Sequence, residues 1–276
     1  MATWYSCQQR HRYLTHIHVG FIESSVLDEN SLRDELDMRF SYRFSQLLGT
    51  VYRKGNITFT TNGDCVVAPV GNKISVYDLK SNKSETLPIE SRYNYTSIAL
   101  SPNGTILVAI NEDGEADLIS LLSKTVVHKF RFHRPVLCVK FSPDGRFFAL
   151  TKENSVFVYR SPGPCREYNP FVLERSFHGS FDVTTCLDWS SDSKVLMVGS
   201  KDMSARLYTV ERLENFRTYA LGGHTDSVVA CFFERDSLDA YTVARNGHVN
   251  IWECCIDLDD LVTVKGVMLF KEFYLK

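Results

Sequence analysis

The chain has 276 residues, 44% of them hydrophobic, which is enough to bury a large core. Its formal net charge of −2 gives no global field that favours nucleic acid or a membrane surface. No run of 18 apolar residues occurs, which excludes a spanning helix, and the N-terminus lacks a secretory signal, so a soluble intracellular protein is expected.

Residues 1–37 are rich in acids (Glu23, Asp28, Glu29, Asp34, Glu35, Asp37), and Ser31-Leu-Arg-Asp34 has the character of a short helix start. His11, His16 and His18 lack a carboxylate or thiolate at fitting spacing, so they read as a solvated tail and no metal site is expected. This segment is expected to be a poorly ordered extension. Residues 38–54 change character. Phe40, Tyr42 and Phe44 alternate with Arg39, Ser41 and Arg43, the period of an edge strand that leads into a repeated region. Arg39, Arg43, Arg53 and Lys54, interleaved with aromatics, combine phosphate-neutralising charge with stacking surfaces, which suits RNA or partner contact. The plainer reading is that the aromatics fill a core while the cations snorkel outward.

From residue 55 to 255 the chain repeats. Five turn anchors recur: Phe59-Thr-Thr-Asn-Gly63, Leu100-Ser-Pro-Asn-Gly104, Phe141-Ser-Pro-Asp-Gly145, Trp189-Ser-Ser-Asp-Ser193 and Phe233-Glu-Arg-Asp-Ser237. Each is followed 18 or 19 residues later by a closing residue, namely Tyr77, Ile119, Tyr159, Tyr208 and Trp252. A period of 41 to 48 residues containing several short strands is that of one propeller blade. In the third unit Val136–Phe141, Phe147–Leu150 and Ser155–Tyr159 read as strands, with Pro143 presetting φ and Gly145 accepting a positive φ between the first two. Strands this short cannot bury a face alone, so stacked sheets are expected, three strands to a unit. Helix patterns are nearly absent after residue 40, which argues against a parallel βαβ fold. The fold class is therefore all-β, a β-propeller with five recognisable blades, and residues 256–276 read as a C-terminal tail.

Cys138 and Cys186 lie three residues before a turn anchor, and Cys65 and Cys231 also fall in apolar strands, so they read as small core residues. Cys254-Cys255 is adjacent and no pair has zinc-ligand spacing. Catalysis is not expected. There is no P-loop and no Gly-x-Ser-x-Gly elbow, and Asp144, Asp192, Asp202 and Asp236 recur at turns, where capping of backbone amides is the expected role. His178 and His224 each neighbour a glycine at a blade opening and are expected to make structural hydrogen bonds.

The Ser-Pro-Asp-Gly turn, Gly199-Ser-Lys-Asp202, Gly223-His224 and Ile251-Trp252-Glu253 resemble the WD-repeat family. The resemblance implies a structural set in the last blade built on His224 and Trp252, with Asn246 standing where that family has Asp and therefore a weaker set; Asp202 keeps the acid in the fourth unit. Rings of that family usually have seven blades, so five imply an incomplete ring cut from a longer protein. Residues 38–56, Pro69-Val-Gly-Asn72, Lys83-Ser-Glu-Thr-Leu-Pro88, Gly199-Ser-Lys-Asp-Met-Ser204 and Ala220-Leu-Gly-Gly-His224 are more specific and resemble the N-terminal propeller of the periodic tryptophan protein 2 family over residues 38–254. That resemblance implies a nuclear, nucleolar scaffold in the UTP-B subcomplex of the small-subunit processome. Its partners would be other propeller proteins, with precursor ribosomal RNA and small nucleolar RNA in the assembly. It implies no cofactor, membrane or small-molecule substrate. The alternatives are a direct RNA-binding module and a general protein-interaction adaptor.

Overall fold

The computed structural model describes residues 55–163, 168–211, 213 and 218–261. The extension 1–37, the segment 38–54 with Arg39, Arg43, Arg53 and Lys54, and most of the tail lie outside the described residues.

Among the described residues nineteen strands form five antiparallel sheets in chain order. The first blade contains β1 (Thr58–Phe59), β2 (Cys65–Val70), β3 (Lys73–Asp78) and β4 (Lys83–Thr86). The second contains β5 (Tyr95–Leu100), β6 (Ile106–Asn111), β7 (Glu115–Ser120) and β8 (Thr125–Arg131). In the third are β9 (Val136–Phe141), β10 (Phe147–Lys152), β11 (Ser155–Arg160) and β12 (Val172–His178). The fourth has β13 (Thr184–Trp189), β14 (Val195–Ser200), β15 (Ala205–Thr209) and β16 (Tyr219–Leu221). The fifth has β17 (Val228–Phe233), β18 (Ala240–Ala244) and β19 (Val249–Trp252), then a single 3-10 turn at Leu258–Asp260.

The expected unit of three strands is corrected to four in the first four blades. The strands that sequence periodicity misses are the outermost: β4 is exposed throughout, and β8 and β12 bury side chains only partly. A strand with water on its outer edge needs no apolar face, so it leaves little pattern. The middle strands show the converse. β14 is buried at all six positions, and β6 and β10 nearly so.

Adjacent blades meet through their first two strands, with β5 against β9, β9 against β13, and β13 against β17. Each junction has its own apolar cluster. Val67, Ile74, Tyr95 and Ile98 join the first two blades; Val139, Phe148, Leu150 and Tyr159 pack against Val108 and Leu118 between the second and third. Leu187, Trp189, Val198 and Tyr208 pack on Val156 and Val158, and Cys186, Met197 and Val228 join the last two. Complete burial of a side chain such as Phe148 contributes roughly 1.5–3 kcal/mol, so the blades depend on one another for most of their core.

Polar staples cross the same junctions. Asn56 brackets Ile98, donating to its carbonyl and accepting from its amide at 2.9 and 2.7 Å. Asp188 accepts from the Lys140 ammonium at 2.9 Å and from the Phe233 amide at 3.0 Å, so one carboxylate spans three blades. The Asp144 amide donates to Ser193 Oγ and the Asp236 amide to Ser191 Oγ, tying neighbouring anchor turns together.

The anchor turns follow the expected chemistry in most units. Gly104 and Gly145 have φ of 71° and 73°, and Asn103, Asp144 and Asp192 each accept from the amide two residues on. Asp236 departs from the expected capping role. Its own φ is 58°, so it occupies the left-handed position itself, and its exposed carboxylate pairs with Arg235 at 3.7 Å. Among the cysteines, Cys186 and Cys231 are buried and Cys65 and Cys138 half-buried, whereas Cys254 and Cys255 are exposed. Burial pushes the Cys138 thiol up to about 11, the wrong direction for a reactive thiolate.

Candidate interaction surface

Antiparallel pairing puts the β4–β5, β8–β9, β12–β13 and β16–β17 connections at one end of the blades, together with the turns between second and third strands. At this end the first strand of four blades carries an irregularity in register: at Thr96, beside Leu137, at Thr185 and at Val229. A bulge re-aims one side chain without ending the strand. The hydroxyl of Thr185 bonds back to the Val228 carbonyl at 2.5 Å, but Leu137 and Val229 have no such use and stand about half exposed, at 50% and 46%. Phe181, on the β12–β13 connection, is 91% exposed, and Met203 in the β14–β15 turn is also exposed. Tyr93, on the β4–β5 connection, belongs to the same face.

Phe181 is exposed yet held in place. Asp202 Oδ2 accepts from the Phe181 amide at 2.9 Å and from Arg206 Nη1 at 2.7 Å, while Oδ1 accepts from the Ser204 hydroxyl and amide at 2.6 and 3.1 Å. The two side chains of this ion pair are only 9% and 10% exposed. Burial raises the Asp202 carboxyl pKa, but the hydrogen bonds from Ser204 and the Phe181 amide and the Arg206 charge outweigh it and leave the net shift downward. The Arg206 guanidinium lies 5.4 Å from the Phe181 ring centroid, so the anchor that positions the loop also touches its ring.

In the last blade His224 and Trp252 meet at Thr242. Trp252 Nε1 donates to Thr242 Oγ1 at 2.9 Å, and His224 Nε2 shares a 2.7 Å hydrogen bond with the same oxygen. Asn246 does not complete the set: it donates to Thr225 Oγ1 at 2.9 Å and accepts from the His248 amide, leaving buried His224 Nδ1 without a partner. Burial, with His248 nearby, lowers the His224 pKa, so the ring is neutral near pH 7. Sequence reading missed Thr242, and its signal was a small hydroxyl side chain, fully buried, inside the Ala-Tyr-Thr-Val-Ala strand. It also missed Arg206, whose position four residues after Asp202 across a turn carries no helix pattern to flag it. His178 Nδ1 shares a 2.8 Å hydrogen bond with Ser155 Oγ.

A cleft elsewhere, between Thr60, Asp64, Asp78, Lys80 and Asn103, has its charges occupied. Asp78 accepts from the Ser81 hydroxyl and the amides of Lys80 and Ser81, and Lys80 pairs with Asp64 at 2.8 Å. No group of three or more His, Cys, Asp or Glu side chains among the described residues is placed to hold a metal ion. No helix among them is long and apolar enough to cross a membrane.

Two family comparisons match: the anaphase-promoting complex subunit 4 WD40 domain over residues 68–144, and the WD domain, G-beta repeat over residues 171–209. The second match starts with the outermost strand of the third blade and ends with the third strand of the fourth, so the sequence repeat straddles two sheets. The periodic tryptophan protein 2 homolog of Mus musculus is 50% identical over 217 residues, 79% of this chain and 24% of the relative. The homolog of Schizosaccharomyces pombe is 42% identical over 218 residues (78% and 26%), and the Saccharomyces cerevisiae protein 42% over 219 (78% and 24%). The chain spans about a quarter of the length of these curated relatives. The chain carries WD40 repeat sequence in these two segments and is homologous to periodic tryptophan protein 2 over nearly four fifths of its length.

Proposed function

We propose that the chain is a non-catalytic scaffold in ribosome biogenesis, acting in assembly of the small-subunit processome in the nucleolus. Its partners are propeller proteins of the UTP-B subcomplex, with precursor ribosomal and small nucleolar RNA in the same particle. The observation that carries this reading is homology to periodic tryptophan protein 2 in animal, fungal and plant relatives. The geometry supports a binding role. Exposed Phe181, Met203 and Leu137 stand on one end of the blades, Phe181 on a loop fixed by hydrogen bonds, the arrangement of an interaction anchor, while the Asp202 carboxylate and the His224 Nε2 are engaged in structural bonds.

The test is affinity purification of the tagged chain from cells, beside a Phe181→Ala variant. The expected result is co-purification of processome proteins that weakens in the variant. Recovery of no processome component by the parent chain would overturn the proposal. For the four basic residues at 39, 43, 53 and 54, the check is binding to precursor ribosomal RNA against rising salt. Affinity that ignores salt, or survives their replacement by alanine, removes RNA contact from their role.

A further inference from the structure

The first strands of the fourth and fifth blades, β13 and β17, are pinned together at two heights. Thr185 Oγ1 donates to the Val228 carbonyl at 2.5 Å, and the Phe233 amide donates to Asp188 Oδ2 at 3.0 Å. Between these pins lie Cys186 on one strand and Cys231 on the other, both free thiols in the apolar cluster that joins the two blades. Their sulfurs sit over β14 two residues apart. A Cβ at Gly199 would stand 2.5 Å from Cys186 Sγ, and Cys231 Sγ is 3.8 Å from the Met197 carbonyl oxygen. The two thiols also share a hydrogen bond.

The pair is asymmetric. The hydrogen bond from Cys231, with one from the Gly199 backbone and the charge of Lys140, outweighs burial and holds the Cys186 thiol below its ordinary value. The same bond, burial and the Asp188 carboxylate push the Cys231 thiol up. A sulfur that ionises readily beside one that stays protonated is the arrangement of a nucleophile and its resolving partner. Access has the same order. Cys186 is 9% exposed and Cys231 3%, so a small oxidant meets Cys186 first.

We propose that Cys186 and Cys231 form a modification site at which a hydroperoxide makes a disulfide between the fourth and fifth blades. The Cys186 sulfur attacks one peroxide oxygen, forming an S–O bond as the O–O bond breaks. The departing oxygen takes the thiol proton and leaves as water or an alcohol. Cys231 then attacks the Cys186 sulfur, so that the S–S bond forms as the S–O bond breaks and its proton leaves with the hydroxide as water. Two thiols are oxidised and one peroxide is reduced, two electrons in all. A dithiol restores the pair by thiol–disulfide exchange. The reaction takes place within one chain and needs no partner, so its failure and that of the scaffold reading are separate outcomes.

The experiment treats the full 276-residue chain with limiting hydrogen peroxide, alkylates the remaining thiols under denaturing conditions and maps the peptides without reduction. The expected product is one peptide pair joined through Cys186 and Cys231, about 2 Da lighter than the two thiol peptides and separated again by a dithiol. In Cys231→Ser, dimedone should label Cys186 as the trapped sulfenic acid, and in Cys186→Ser it should leave Cys231 unlabelled. Four results overturn the proposal: Cys186 joined to any other cysteine, sulfinic acid at Cys186 with no cross-link, labelling of Cys231 in Cys186→Ser, or both thiols alkylated after exposed Cys254 and Cys255 have been oxidised. The parent map needs no variant, so a substitution that fails to fold leaves the test intact.

Discussion

Replacing Asp202 by Asn keeps the shape of the side chain and removes its charge. The carboxylate accepts four hydrogen bonds, two at each oxygen, and Asn offers one oxygen and an NH2 group that faces donors. Arg206, itself buried, loses the charged partner of its guanidinium and keeps only the longer bond to Ser180 Oγ among the described residues. Breaking a buried pair from one side costs about 3–5 kcal/mol, and the oxygen that Asn retains places the expected loss near the lower end, about 3 kcal/mol. Urea denaturation at neutral pH measures it, and Arg206→Met and the double variant complete a cycle. The double variant should lose less than the sum of the singles, because it leaves no orphaned charge. The sign of the pH dependence follows from the lowered Asp202 pKa. Its stabilisation is present above the unfolded value of about 3.9 and is lost as pH falls through the lower folded value, so parent and variant should converge only below about pH 4. A loss under about 1 kcal/mol at neutral pH, or strictly additive singles, would refute the buried-pair reasoning.

Thr242→Val leaves Trp252 Nε1 and His224 Nε2 without their shared oxygen and should cost about 2–3 kcal/mol by denaturation followed with Trp fluorescence; a loss below about 1 kcal/mol would show that the set is decorative. Asn246→Asp brings a carboxylate toward the unpartnered Nδ1 of His224 and should raise the lowered pKa of that ring in an NMR titration. In the parent, stability held by neutral His224 is complete above the unfolded value of about 6.5 and declines below it, and the variant should soften that decline; an unmoved His224 titration would count against the reasoning. Gly114→Ala, at φ 77°, would put a methyl group 2.2 Å from the Arg134 carbonyl oxygen and should cost more than about 3 kcal/mol. Gly63→Ala, at φ 71° with nothing within 4 Å, should cost only about 1 kcal/mol, and equal melting temperatures for the two variants would contradict this.

The five-blade plan was readable because its anchors carry turn chemistry and its middle strands are apolar. Val136–Phe141 and Val249–Trp252 have the bounds their patterns predict, and Phe147–Lys152 extends only two residues further. The fourth strands escaped because exposed strands such as Lys83–Thr86 are selected by edge pairing, which leaves no periodic trace. The site was less legible still. Phe181 sits between a turn Gly-Ser and Asp182 with nothing local to show that it faces solvent, and the Asp202 and Arg206 that fix it are joined by tertiary geometry. His224 and Trp252 were recognisable as a pair, but the oxygen that joins them comes from a strand between them.

The position nine residues before each anchor shows why recognisable motifs wear away while the fold persists. It is Ser91, Phe132, Ser180 and His224 in the second to fifth blades. Ser91 accepts from Asn111 at 3.0 Å, Ser180 accepts from Arg206 at 3.4 Å, and His224 shares Thr242 with Trp252. Phe132 dispenses with polar bonding and packs against Tyr159 and Phe171 with centroids 5.7 and 6.0 Å apart. Each solution ties the connection entering a blade to the sheet it enters, by hydrogen bonds in three blades and by ring packing in the third. What the fold requires at this position is therefore a tether and not a particular chemistry. A tether that can be hydrogen-bonded or aromatic carries no chemistry common to the blades. It leaves the connection itself, as at Phe181, rigid and free to vary in what it presents.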